Sequence, residues 1–184
     1  MTLSFRLSII TLVITTVSCT REPSDYKTWE VYRGSNTANQ YSALDQINTE
    51  NVKDLELAWT YQTGGHTEKS TIQCNPIIIG GTMYVTSPDL RVIALDAASG
   101  REIWQYNPSQ ENKIGGVNRG VTYWEEEDDQ RIFFTAGHWL IALDARSGEV
   151  IESFGEGGKV DLRYDLGVPP ESVTLSVTSP GIIF

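Results

Sequence analysis

The stretch Val92-Ile93-Ala94-Leu95-Asp96-Ala97-Ala98-Ser99-Gly100 returns almost unchanged as Leu140-Ile141-Ala142-Leu143-Asp144-Ala145-Arg146-Ser147-Gly148. The offset is constant: Ala94 to Ala142, Asp96 to Asp144 and Gly100 to Gly148 are each 48 residues apart. Upstream, Met83-Tyr84-Val85-Thr86 matches Ile132-Phe133-Phe134-Thr135, with one residue inserted between. Such a unit cannot bury its apolar face alone, so it must stack on copies of itself. The first unit reads as strands at 75–79, Thr82–Thr86, 91–95 and Glu102–Tyr106, with Gly80-Gly81 as a tight turn. The second reads as strands at 120–124, 132–135, 139–143 and 150–154. Four short strands at a period near fifty residues predict an all-β fold, a β-propeller of four-stranded blades.

The connection between the third and fourth strands has its own logic. Asp96 can accept a hydrogen bond from the backbone two residues on, and Gly100 permits positive φ. Ala94 leaves room for a neighbouring blade. Trp104, four residues past Gly100, is free to cover the joint between blades. In the second unit Glu152 falls where Trp104 would, which leaves Phe154 as a substitute cover. A third blade is expected to begin over 174–184. Two blades and a fraction cannot close a ring of four to eight, so the sequence is expected to be part of a longer propeller.

Composition narrows the function. The formal net charge of −10 repels phosphate backbones and argues against a nucleic-acid partner. Two cysteines, Cys19 and Cys74, and two histidines, His66 and His138, exclude a disulfide-dense scaffold and a four-cysteine zinc site. No HExxH, P-loop or GxGxxG stretch is present. His66 and His138 read as structural, and Cys74 as a small buried residue. The run Glu125-Glu126-Glu127-Asp128-Asp129 reads as a solvated hairpin, because it lacks the ligand spacing and glycine of a calcium loop.

The start of the chain reads as an address. Arg6 is followed by an apolar stretch over 7–17, then Ser18-Cys19 and a polar turn at Thr20-Arg21-Glu22-Pro23. The apolar run is short for a membrane span of roughly 20 residues and fits a secretory signal. Residues 1–19 are expected to be a signal peptide of lipoprotein type, with 20–184 as the propeller part. Cys19 would become the lipid-bearing residue, anchoring the protein to a membrane of the periplasm or cell envelope. The site departs from the usual pattern in having Thr16, not Leu, three residues before the cysteine.

Further stretches carry a resemblance. Residues 29–64 contain Tyr41-Ser42-Ala43-Leu44, Gln46-Ile47-Asn48, Asn51-Val52 and Leu55-Glu56-Leu57-Ala58-Trp59; later come Gln73-Cys74-Asn75-Pro76, Val117-Asn118-Arg119-Gly120-Val121 and Thr178-Ser179-Pro180. Together with the Ala-Leu-Asp-x-x-x-Gly-x-x-x-Trp pattern at 94–104, they resemble the quinoprotein dehydrogenases of the glucose and alcohol type. The resemblance implies an eight-bladed propeller that binds pyrroloquinoline quinone, with a calcium ion polarising the quinone and an aspartate as base. It implies oxidation of a sugar or other alcohol outside the cytoplasm, with electrons passed to a respiratory quinone or cytochrome c. By the same resemblance, Arg119 pairs with the cofactor, Gln73 stands at its edge where the family usually has Glu, and Thr178 or Ser179 holds a carboxylate. Gly115 stands where sugar-oxidising members tend to have histidine, and the adjacent-cysteine pair of some alcohol-oxidising members is absent. Catalytic base and calcium ligands are expected beyond Phe184. The rival is a non-catalytic propeller lipoprotein that scaffolds outer-membrane assembly; it would share the lipid signal and the repeat but would not need Asn118-Arg119-Gly120 or Gln73-Cys74-Asn75-Pro76.

Overall fold

The structure is a computed structural model that describes residues 26–109 and 116–183. The expected signal peptide and Cys19 lie outside the described residues. Eight strands form two four-stranded antiparallel sheets, each in sequence order. The first blade is β1 (Ile77–Ile79), β2 (Thr82–Thr86), β3 (Val92–Asp96) and β4 (Glu102–Tyr106). The second is β5 (Thr122–Glu126), β6 (Asp129–Ala136), β7 (Trp139–Asp144) and β8 (Lys159–Asp161). The only helical pieces among the described residues are three 3-10 turns, at Tyr32–Gly34, Val52–Asp54 and Pro170–Ser172.

Local chemistry sets the register. Gly80 and Gly81 both take positive φ and join Ile79 to Thr82 in the tight hairpin predicted from sequence. In β2 and β3, Tyr84 faces Ala94; in β6 and β7, Phe133 faces Ala142. The first three strands of the two repeats therefore correspond in register, as their sequences require. The acidic run forms the exposed β5–β6 hairpin, with Glu127 at positive φ.

The core lies between the two sheets. Ile77, Tyr84, Val92 and Ala94 of the first blade bury against Val121, Ile132, Phe134, Ile141 and Leu143 around the second. Trp104 seals this joint. A Cβ on Gly148, the last residue of the second repeat motif, would lie 2.5 Å from the Trp104 ring, so only glycine admits the stack. The indole Nε1 and the Tyr84 hydroxyl both donate to the Ala145 carbonyl, each at 3.0 Å. Trp59 repeats the contact one blade earlier: its ring occupies the space a Cβ on Gly100 would need, and its Nε1 donates to Ala97 O at 3.2 Å. The segment around Trp59 thus sits against the first blade as β4 sits against the second, on the side where a preceding blade would stand. The turns are tied by their aspartates: Asp96 accepts from the Ser99 backbone and hydroxyl, three residues on and not two, and Asp144 from the Arg146 and Ser147 backbones.

One expectation needs correction. Residues 150–154 do not form the fourth strand. Val150 makes an isolated bridge to Leu143, and Ile151 N–H donates to Ala142 O. The chain then loops out, and Lys159–Asp161 pairs with the other half of β7. Gly155, Gly157 and Gly158, all at positive φ, permit the detour, which splits one outer strand into two short pieces. Phe154 packs against Phe133 of its own blade, ring centroids 5.2 Å apart. The segment 174–183, expected to open a third blade, forms no named strand but lies where the next inner segment belongs: Arg119 N–H donates to Thr178 O as Asn75 N–H donates to Arg119 O, and Val177 N–H donates to Gly137 O.

Trp104→Ala removes the buried indole and one donor to Ala145 O, and should cost about 3–5 kcal/mol in denaturant unfolding. Trp59→Ala, at a half-buried position, should cost less. Acid should also weaken the fold through Asp-x-Arg pairs. The guanidinium of Arg163, 2.7 Å from Asp161, holds that carboxyl down at about 2, and Arg131 lowers Asp129 in the same way. These folded-state values lie below the unfolded carboxylate range near 4, so the stabilisation is present above about pH 4 and lost as pH falls towards 2. Thermal midpoints at pH 5, 3 and 2 should fall less steeply for Asp161→Asn than for the parent.

Candidate functional site

The segments that carry Asn75, Arg119 and Thr178 precede β1, precede β5 and follow the second blade. Two backbone hydrogen bonds lay them side by side: Asn75 N–H donates to Arg119 O at 2.9 Å, and Arg119 N–H donates to Thr178 O at 2.8 Å. The close approach demands Gly120. Its φ is +144°, and a Cβ there would lie 2.9 Å from Asn75 O.

Arg119 is half-buried, and its guanidinium Nη1 donates to Thr178 Oγ1. Two residues predicted from sequence to share a site are therefore in contact, though 59 residues apart in the chain. Asn118 braces the arginine from behind. It is 4% exposed, its Nδ2 donates to Thr135 O at 2.9 Å, and its Oδ1 accepts from Gly120 N–H at 2.8 Å. Asn118 has both ends committed to backbone, which leaves Arg119 as the group free to meet a ligand. The sequence contains this brace in plain view, but its role needed the position of Thr135 to be seen.

Gln73 and Ser179 are exposed, and neither makes a side-chain contact with Arg119 or Thr178 among the hydrogen bonds of the described residues. Strand register gives Cys74, not Gln73, the place in the first blade that Arg119 holds in the second, since Ile77 and Thr122 face the equivalent Tyr84 and Phe133. Cys74 turns its sulfur to the Thr86 N–H at 3.2 Å, and burial pushes its thiol above the ordinary value. Cys74 is half-buried there, where it was expected to be buried. His138 stacks beside Trp139 at 4.9 Å, also as a packing residue. A cleft of about 410 Å³ lies further along β5, between Tyr32, Thr122, Trp124 and Ile182. None of the candidate site residues lines it.

The three segments offer a fixed cationic fork, a threonine hydroxyl and an exposed amide. A guanidinium matches planar oxygen pairs. Such a set suits a flat anionic ligand with carboxylates and a polar edge. Among the described residues no three His, Cys, Asp or Glu side chains gather to hold a metal ion.

Stacked four-stranded blades, joined tryptophan on glycine and carrying polar donors at their inner-strand ends, define part of a β-propeller with a candidate site at the seam between blades. The chain belongs to the PQQ glucose/ethanol/alcohol dehydrogenase β-propeller domain family, whose model matches residues 29–184. It is 38% identical over 132 residues to the dehydrogenase subunit of a quinone alcohol dehydrogenase from Gluconobacter oxydans, a match covering 68% of this chain and 16% of that one. It is 29% identical over 188 residues to quinoprotein glucose dehydrogenase A of Acinetobacter calcoaceticus, covering 84% and 23%. Among solved structures, a quinohemoprotein alcohol dehydrogenase from Pseudomonas putida matches with a TM-score of 0.68 at 30% identity, over 85% of this chain and 22% of that one. The chain spans about a fifth of the length of the curated relatives it matches.

Asn118→Ala should strand the buried Gly120 N–H and Thr135 carbonyl. A loss of about 1–3 kcal/mol is expected in thermal or denaturant unfolding. A water that rescues both groups would instead leave stability unchanged.

Proposed function

We propose that the protein is part of a dehydrogenase that oxidises the CH–OH group of a sugar or other alcohol with pyrroloquinoline quinone, outside the cytoplasm. The observation that carries this reading is the contact of Arg119 with Thr178 across the join between two inner-strand segments. Charge-assisted donors held by backbone on both sides form a ready seat for a planar tricarboxylate. The quinone, when bound, supplies the two-electron oxidant. Arg119 would bind and orient it through a carboxylate or quinone oxygen, and Thr178 or Ser179 would donate to a carboxylate. Gln73, uncharged, would border its edge without adding a negative charge. The proposal includes calcium as the Lewis acid, an aspartate base beyond Phe184, and a respiratory quinone or cytochrome c as acceptor. It also includes export and lipid attachment at Cys19 to a membrane of the cell envelope.

Arg119→Ala in the intact apoprotein should weaken quinone binding roughly ten- to a hundredfold, the worth of a charge-assisted hydrogen bond. Arg119→Lys keeps the charge but loses the fork, so its loss should be smaller. Quinone titration followed by fluorescence reads both, and thermal unfolding of the same apoproteins should show little change. Parental affinity in Arg119→Ala overturns the site; an unfolded apoprotein makes Arg119 structural. A fatty-acid label on the protein made in a bacterium should disappear in Cys19→Ser, and its persistence would remove the lipid anchor.

A further inference from the structure

Two threonines make the same cross-blade contact in consecutive repeats. Strand register makes Thr86 and Thr135 equivalent, since each lies two residues beyond the residue facing the repeat alanine, Ala94 or Ala142. Both are buried. Thr86 Oγ1 donates to the carbonyl of Asn118 at 3.3 Å, and Thr135 Oγ1 donates to the carbonyl of Val177 at 2.7 Å. Each hydroxyl leaves its own sheet and ends on the inner segment that comes next in the propeller. The accepting residue stands, both times, immediately before a residue of the candidate site: Asn118 before Arg119, and Val177 before Thr178.

Both threonines lie in regular strands among buried residues, Thr86 paired with the buried Val92. Valine has threonine's shape and suits a buried strand at least as well. A buried hydroxyl is unfavourable unless bonded. Its use twice, at one repeat position and towards one kind of acceptor, points to the acceptor. Thr135 is engaged from both sides, because its own carbonyl takes the Asn118 amide.

We propose that Thr86 and Thr135 are positioning residues for the quinone site, each fixing across the blade joint the backbone from which Arg119 or Thr178 projects. The inference rests on the reading of Arg119 and Thr178 above and extends it into the strands behind them. A purely structural role would lower stability and leave quinone affinity alone.

The test is quinone titration of the intact apoprotein, with thermal unfolding of each variant. Thr86→Val and Thr135→Val should each weaken quinone binding about three- to tenfold, the worth of one neutral hydrogen bond. Thr86→Ser and Thr135→Ser keep the hydroxyl and should stay within about twofold of the parent. Tyr84→Phe is the control: it removes a hydrogen bond to Ala145 across the same joint, so it should lower the unfolding midpoint and leave affinity unchanged. In an Arg119→Ala background, Thr86→Val should have little further effect, because it acts through Arg119. Parental affinity in both valine variants overturns the inference, as does an equal loss in Tyr84→Phe. If Thr135→Val does not fold, the Thr86 pair decides by the same comparison. Loss of affinity in Arg119→Ala without loss in the valine variants removes only this inference; parental affinity in Arg119→Ala removes the site reading and the inference with it.

Discussion

Everything described depends on an indole ring lying on a glycine of the next blade. Trp104 on Gly148, and Trp59 on Gly100, set how far one sheet stands from the next and at what height. A Cβ at either glycine would enter the ring. The indole N–H, bonded to a carbonyl of the facing turn, then fixes the rotation of the ring. Dispersion and apolar burial supply the attraction, but they are tolerant of small slides. The glycine contact and the directed hydrogen bonds remove that tolerance, and Tyr84 adds a second donor to the same Ala145 oxygen.

Because each blade is a local meander, nearly all strand pairing is between chain neighbours. The contacts between blades are therefore the ones that carry long-range information. The candidate site is built from them. Arg119 and Thr178 come from consecutive inner segments, and their mutual position is the blade-to-blade register expressed at one point.

Much of this was legible in the sequence, for reasons that can be named. Thr82–Thr86 and Glu102–Tyr106 were read with the bounds they have, because the repeat motif and the Gly-Gly turn pin both ends of the first blade. The stack of Trp104 was legible as a need for cover, and its partner Gly148 follows from the same motif one unit on. The fourth strand of the second blade was not legible, since 150–154 keeps the right distance from Gly148 and only the glycines at 155, 157 and 158 betray the loop. Arg119 and Thr178 could be grouped through resemblance to a family, not through spacing: their contact spans 59 residues and exists only once the blades are stacked. Gln73 was named through the same resemblance, whereas register shows that Cys74, one residue on, holds the place in the first blade that Arg119 holds in the second.

The distribution of polar groups follows from the same architecture. A blade buried on both faces has little room for hydroxyls and amides, and each one kept there must find a partner. Asn118, Thr86 and Thr135 meet that requirement with backbone atoms of another segment and not with their own sheet. Side chains that bond outward in this way make the inner segments part of the stacked core, although those segments are not regular strands there. The arginine between Asn118 and Gly120 therefore has a backbone immobilised on three sides, by Thr86 through Asn118, by Asn75 and by Thr178. Its charged end can be half-buried without being loose. A guanidinium so held loses little further freedom when a flat anion arrives, which is the physical advantage of placing it at the seam between blades and not on a surface loop.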